Sequence, residues 1–360
     1  MSPSSPMAPP SADSLAGLER SEIEALCARL DQPAYRARQL FRWVHVQRAA
    51  SYEAMSNLPR AFRERLAAEH PVQTTQREHE APSGDGTRKL LLRLADGEAV
   101  ECVHIPDTPR HTACLSTQVG CGVGCIFCAS GAEGVVRNLS SGEIVEQYLQ
   151  LQAGTQDRLR NVVVMGIGEP LHNVPALAKA LRILQDPEGV DLGARRITVS
   201  TSGPPRGFEQ LLREGLRVNL ALSLHAASDA LRSRLVPGGG AGTVADLQGM
   251  ADRWFEATGR DVTFEYVLIQ GINDRDEDAE ALARLVGRHR NINLIPMNPV
   301  SFAPALVAPL PEHCKRFADR LRRDGTVVNL RRQRGDDVAA ACGQLRLHSK
   351  KQPLPPPAPS

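Results

Sequence analysis

The sequence predicts an α/β fold in which a parallel sheet, open or closed into a barrel, follows a small N-terminal α+β domain. Three observations predict it. Beyond residue 110, short apolar runs alternate with amphipathic helical stretches, the pattern of a sheet with helices on its outer face. Before residue 107 the pattern is helical first and strand-like afterwards. Sulfur-bearing and polar residues recur at the ends of the predicted strands, where parallel sheets carry their sites.

Residues 1–14 and 349–360 are rich in proline and are expected to be disordered tails. From Leu15 to about Glu69, apolar positions such as Ile23, Leu26, Leu30, Leu40, Phe41 and Val44 recur every three to four residues, which predicts helices. Asp85-Gly86 and Asp96-Gly97 flank the run from Arg88 to Ala95, a hairpin strand between two turns. These segments form the first domain, 15–106, and the second is 107–348. In the second, strands are predicted at Val162–Met165, Ile197–Ser200, Val218–Leu224, Val262–Ile269, Ile292–Ile295 and Val327–Leu330. Helices are predicted over 141–153, 174–185, 206–214, 243–257, 275–290 and 311–323.

Composition narrows the class. The 360 residues are 42% hydrophobic and 23% charged, as in ordinary globular proteins. No apolar run approaches the roughly 20 residues needed to span a bilayer, so no membrane is expected. The Ser- and Pro-rich start lacks the basic and apolar segments of a secretory signal. Eight cysteines without an export signal suggest a reducing compartment, the cytoplasm, and metal or redox chemistry for those that cluster. A net charge of +2 leaves any case for nucleic acid to local clustering.

Cys121-Gly-Val-Gly-Cys125-Ile-Phe-Cys128 is the most informative stretch. Three thiolates on one loop can hold three irons of a [4Fe–4S] cluster and leave the fourth open to a non-protein ligand. Structural zinc takes four closed ligands, commonly as paired C-x2-C units, and the second pair is missing. This spacing is the radical S-adenosylmethionine signature, with Cys121, Cys125 and Cys128 as ligands.

Strand ends supply further candidates. Val162–Met165 runs into Gly166-Ile-Gly168-Glu169-Pro170, where Gly168 permits close approach and Glu169 could accept from an ammonium. Ser200, then Ser223-Leu224-His225, then Asn298 lie at later strand ends. Each alone could be a cap or a core residue; their convergence on the mouth that carries the cysteine loop points to a ligand site. Cys114 and Cys342 could be small buried residues, yet Cys342 sits behind Asp336-Asp337 on a segment expected to be mobile and fits a reachable thiol. Cys27, Cys102 and Cys314 fit packing. Basic residues gather at Lys315-Arg316, Arg320, Arg322-Arg323 and Arg331 to Arg334. The last group leads to Cys342 and suits a phosphate-bearing substrate. With 4% aromatics, RNA would be held mainly by backbone and shape.

Taken together, these motifs resemble the RlmN/Cfr family of radical S-adenosylmethionine RNA methyltransferases. The resemblance runs from Gln39-Leu-Phe-Arg-Trp through Asn57-Leu-Pro, Gly86-Thr-Arg-Lys, Val100-Glu-Cys-Val-His-Ile-Pro, Gln118-Val-Gly-Cys and Arg137-Asn-Leu to Arg334-Gly-Asp-Asp and Ala341-Cys-Gly-Gln-Leu. It implies a partial (βα)6 radical-SAM barrel and two S-adenosylmethionine molecules per turnover. Gly168, Glu169, Ser200, Ser223, Leu224, His225 and Asn298 would contact S-adenosylmethionine. Cys342 would carry the methyl group, Cys114 would resolve the covalent intermediate by forming a disulfide, and Glu101 would accept the ring proton. The implied substrate is an adenine of 23S rRNA, and also of tRNA, methylated at carbon 2 rather than carbon 8. A monomer reduced by a donor such as flavodoxin is expected.

One departure stands out. Val236-Pro-Gly-Gly-Gly-Ala-Gly242 replaces the Val-Pro-Ile-Asn-x-x-Tyr-like segment usual in the family, which bears on the RNA surface. A paralogue with another RNA target, and a non-catalytic cluster-bearing RNA-binding protein, stay open as alternatives.

Overall fold

The computed structural model describes residues 14–107, 109–238, 240–286, 290–323, 325–331 and 334–345; apart from Ser14, the two expected tails lie outside them. Three helices open the chain: α1 (Arg20–Arg29), α2 (Tyr35–His45) and α3 (Arg60–Glu69). An antiparallel set follows, β1 (Gln76–Pro82), β2 (Arg88–Arg93), β3 (Ala99–Asp107) and β4 (Arg110–Cys114). The small hairpin β5 (Gln118–Gly120) and β6 (Val135–Asn138) stands apart from the main sheet.

Alternation then sets in: α4 (Ser141–Ala153), β7 (Leu159–Val164), α5 (Val174–Gln185), β8 (Ile197–Thr201), α6 (Pro205–Arg213), β9 (Asn219–Ser223), α7 (Asp229–Leu235), α8 (Val244–Thr258) and β10 (Val262–Leu268). It ends with α9 (Asp276–Leu285), β11 (Arg290–Pro296), α10 (Pro311–Arg323) and β12 (Val327–Leu330). The main sheet has the order β1-β2-β3-β4-β7-β8-β9-β10-β11-β12. It is antiparallel up to β4 and parallel from there on. The sheet curls: Thr112 and Cys114 of β4 line one cleft with Ile295 of β11 and Leu330 of β12, strands well apart in sheet order. No pairing among the described residues joins β1 to β12, so the barrel is partial.

Every expected strand and helix of the second half is present, and the structure adds α7. The helix expected over 275–290 is shorter; Val286 at its end is already extended, and β11 begins at Arg290. α4 is not amphipathic, because nearly all of it is buried between the sheet and the N-terminal helices. Its buried acids therefore need partners. Glu146 accepts from Ser14 Oγ and from the N–H groups of Thr74 and Thr75, tying the N-terminal segment to the sheet. Glu143 pairs bidentately with buried Arg137, whose Nε also reaches Asp96 in the β2–β3 turn at 2.7 Å.

Candidate active site

The cysteine loop leaves β5 and returns through β6, so the small hairpin fixes both of its ends. Cys121 N–H donates to Gly134 O at 2.8 Å, and Cys128 N–H donates to Cys125 O at 3.1 Å. Within the loop, a Cβ on Gly131 would lie 2.8 Å from Gly124 Cα, and Gly124 itself has φ of +64°. A side chain at Gly131 would spread the loop, and one at Gly124 would be strained by its left-handed backbone. Cys121, Cys125 and Cys128 line one cleft that encloses about 920 Å³ of atom-free space.

Burial raises all three thiols, Cys121 to about 12. After burial, the neighbouring Cys128 and Cys121 raise Cys125 further. Such thiols ionise when a cation coordinates them. Among the described residues, no three His, Cys, Asp or Glu side chains converge as ligands of one metal ion would. A [4Fe–4S] cluster instead needs its thiolates on separate irons, so the donor set fits a cluster and not a single zinc.

Gly168, Glu169, Ser200, Ser223, His225, Asn298 and Cys342 line the same cleft, at the carboxyl ends of β7, β8, β9 and β11 and on the C-terminal segment. Gly168 has φ of +110°, and a Cβ there would meet Gln118 Cβ at 2.7 Å; both reasons demand glycine. Gln118 also accepts from Glu169 N–H at 2.8 Å. The Glu169 carboxylate accepts from Leu171 N–H at 2.9 Å, Thr201 Oγ1 at 2.5 Å, and the N–H and Oγ of Ser202, both at 2.8 Å. A carboxylate has about four acceptor sites, so Glu169 offers an ammonium its charge and braces β7 against β8.

His225 adopts φ of +58°. Asn273, wholly buried, holds it there by donating to His225 O at 2.8 Å and Val267 O at 2.7 Å. Val267 N–H donates to His225 Nδ1 at 3.1 Å. Burial, and then Arg232, lower its pKa to about 3, so the ring is neutral with its proton on Nε2. Phe127 packs edge-on against it, ring centroids 4.7 Å apart. Leu224 differs from its neighbours: its side chain is in the core and its N–H donates to Glu265 O, so it does not line the cleft.

A second cleft adjoins the first, and Cys342 and Asn298 line both. Cys114 lines only the second. Burial, followed by the charge of Cys342, pushes the Cys114 thiol up to about 12. Glu101 lines neither cleft; it is buried and ion-paired to Lys89 at 2.9 Å. Lys89 Nζ also donates to Ala339 O at 3.1 Å, which links Glu101 to the Cys342 segment.

That segment, expected to be mobile, is strapped down. Asp85 accepts from Gly335 N–H, Asp337 from Ser83 Oγ and Gly84 N–H, and Pro106 O from Arg334. Asn298 Nδ2 donates to Cys342 O at 2.8 Å, and Ala129 N–H beside the cysteine loop donates to Gly343 O at 2.7 Å. Gly343 has φ of +83°, which lets the chain turn directly after Cys342. Of the basic residues near it, Arg331 donates to Cys342 Sγ at 3.5 Å and lies 3.9 Å from Met165 Sδ; Arg332 lies outside the described residues. The sequence placed Arg331 near Cys342 as a partner for a phosphate-bearing substrate, whereas its guanidinium contacts the Cys342 sulfur itself; Asn273 was passed over. The available signal was position: each directly follows the end of a strand or its turn.

Residues 115–285 match the Radical SAM superfamily, and residues 14–72 match the Ribosomal RNA large subunit methyltransferase N-terminal domain. A protein of Anaeromyxobacter dehalogenans named dual-specificity RNA methyltransferase RlmN is 43% identical over 343 residues, 92% of this chain and 91% of its own. The chain belongs to the RlmN/Cfr family. A probable RlmN of Symbiobacterium thermophilum is 44% identical over 342 residues, 94% of this chain and 92% of its own. A crystal structure of a radical SAM methyltransferase from Sphaerobacter thermophilus superposes with a TM-score of 0.88 at 45% identity, covering 93% of this chain and 99% of that one. Membership of the RlmN/Cfr family makes the protein a radical S-adenosylmethionine RNA methyltransferase whose cofactors are a [4Fe–4S] cluster and S-adenosylmethionine. No helix among the described residues is long and apolar enough to cross a membrane.

Proposed function

We propose that this RNA methyltransferase methylates carbon 2 of an adenine in 23S rRNA, and of an adenine in tRNA, with Cys342 as methyl carrier. The observation that carries the reading is that Cys342 lines both the cleft of the three cysteines and the cleft of Cys114. A thiol so placed can be loaded on one side and released on the other. An electron-poor ring carbon is not a nucleophile, so direct displacement by S-adenosylmethionine does not reach it.

Bound to Cys121, Cys125 and Cys128, the cluster with S-adenosylmethionine would supply a 5′-deoxyadenosyl radical on one-electron reduction. The residues do the rest. Gly168, Glu169, Ser200, Ser223, His225 and Asn298 line the space for S-adenosylmethionine, with Leu224 supporting it from behind. Cys342 takes a methyl group from one S-adenosylmethionine and gives up one hydrogen of it to the 5′-deoxyadenosyl group of the second; its carbon then bonds to the adenine ring, and the one electron the adduct must lose would return to the cluster. Glu101, kept beside this segment through Lys89, accepts the ring proton. Cys114 attacks Cys342 Sγ, forming the disulfide as the bond from Sγ to the transferred carbon breaks; that carbon takes up a proton to become the methyl group, and the RNA is freed.

Action as a monomer in the cytoplasm, a flavodoxin-type donor, and the division at residues 106/107 belong to the same proposal. The test is nucleoside mass spectrometry of 23S rRNA and tRNA after anaerobic incubation with reconstituted protein, reductant and S-adenosylmethionine. 2-Methyladenosine supports the reading. 8-Methyladenosine, or no methylated adenine while S-adenosylmethionine is cleaved, contradicts it.

A further inference from the structure

Arg232, on α7, is buried and holds three backbone carbonyls around the cleft. It donates to Gly242 O at 2.5 Å, Ser202 O at 2.8 Å and Ser223 O at 3.1 Å. These acceptors are neutral, and its buried Nε has no partner among the described residues. The carboxylates whose charge it feels are engaged elsewhere: Asp229 accepts from Val244 N–H, and Asp246 from Thr243. A buried guanidinium without a counter-anion is costly. Burial accordingly holds its pKa below the usual arginine range, and Cys125 stands ahead of both aspartates among the charges it senses.

The surroundings bring this charge to the cysteine loop. Ile126 N–H donates to Leu235 O at the end of α7, at 3.1 Å, and Gly238 N–H donates to Val123 O at 2.9 Å. A Cβ on Gly238 would stand 2.9 Å from Val123 O and 3.1 Å from Gly122 O. Gly238 thus lies directly on the cysteine loop, and its lack of a side chain permits that approach.

We propose that Arg232 is the counter-cation of the cluster held by Cys121, Cys125 and Cys128, favouring its reduced state, and that Gly238 and Gly242 seat it there. This rests on the cluster assignment of the same site. The step concerned adds one electron from an external reductant to the cluster, without proton transfer or bond change. The added negative charge is what the guanidinium stabilises.

The test uses the full chain, reconstituted anaerobically, poised with dithionite and redox mediators, and read by electron paramagnetic resonance of the reduced cluster without S-adenosylmethionine. At the potential where half of the wild-type cluster is reduced, Arg232→Gln is expected to lower the reduced-to-oxidised ratio about tenfold, equivalent to ~59 mV for one electron. Arg232→Lys, which keeps the charge but cannot hold all three carbonyls, is expected to stay with the wild type. An unchanged ratio in Arg232→Gln overturns the proposal. An equal fall in Arg232→Lys also overturns it, assigning the effect to the carbonyl brace. Should Arg232→Gln not fold, Arg232→Met, which removes the charge and keeps the apolar stem, is read in its place by the same rules. Failure of the wild type to take up a cluster is a separate result, and overturns the cluster assignment together with this proposal.

Discussion

Arg331 donates through Nη1 to Cys342 Sγ at 3.5 Å, placing a full positive charge against the sulfur proposed to carry the methyl group. Arg331 follows directly on β12 and is fixed by its own N–H, which donates to Leu294 O at 2.8 Å. The guanidinium is therefore delivered by the sheet, while its sulfur partner is delivered by the strap. Glu265, buried behind it with one carboxylate oxygen lacking a hydrogen-bond partner among the described residues, is within electrostatic reach of Arg331: burial raises the Glu265 pKa, and Arg331 works against that rise.

Replacing this cation should slow the loading of Cys342. Charge-assisted hydrogen bonds contribute roughly 1.5–3 kcal/mol, so Arg331→Gln should lower the rate of Cys342 methylation about 10- to 100-fold. Intact-protein mass spectrometry during incubation with S-adenosylmethionine measures it. An unaltered rate would leave Arg331 a packing residue.

Release depends on Cys114, the thiol across the second cleft from Cys342. Cys114→Ala should leave RNA covalently attached to Cys342, visible as a nuclease-sensitive band on a denaturing gel. Only free RNA after turnover conditions would remove Cys114 from the resolving role.

Acid should loosen the apo-protein through His45, buried on α2 against Phe41 with neither ring nitrogen hydrogen-bonded among the described residues. Burial lowers its pKa to about 3, against roughly 6.5 in the unfolded chain. The unfolded state then binds the extra proton between these values, so stability is complete above about pH 6.5 and declines as pH falls towards 3. At about pH 5 the loss from this residue is about 2 kcal/mol. Urea unfolding at about pH 7.5 and pH 5 should show a smaller pH difference in His45→Leu than in the wild type.

Arg137→Met should be the most disruptive of these changes. It strips Glu143 of its bidentate partner and Asp96 of its link to β6. Glu143 keeps the bond from Ser140 N–H, but breaking a buried ion pair by removing one partner costs roughly 3–5 kcal/mol, read as a lowered urea midpoint with Glu143→Gln/Arg137→Met recovering part of it.

The strand ends were readable from sequence because parallel sheets announce themselves by apolar runs followed by polar turns. Ser200, Ser223 and Asn298 follow from that rule alone, and all three line the cleft. Leu224 does not, since alternation along β9 turns successive side chains to opposite faces. Arg331 was legible as a basic residue near Cys342 but not as a partner of its sulfur, and Asn273 and Arg232 were not legible. Their roles come from contacts with Cys342, His225, Ser202 and Ser223 that are distant in sequence or rest on backbone carbonyls, which carry no residue signature. The strap across Cys342 was equally hidden, because Asp85 meets Gly335, and Asp337 meets Gly84, across some 250 residues. α4 misled for a related reason: Glu143 and Glu146 read as a solvent face until their partners are seen.

The most direct test of the account follows the hydrogens of the methyl group. Protein whose Cys342 has been loaded from methyl-deuterated S-adenosylmethionine would be given RNA, reductant and unlabelled S-adenosylmethionine under anaerobic conditions. If Cys342 carries the carbon and loses one hydrogen before bonding to adenine, the RNA methyl group should contain two deuterium atoms and Cys342→Ala should yield none. Three deuterium atoms in the product, or label appearing without Cys342, would contradict it.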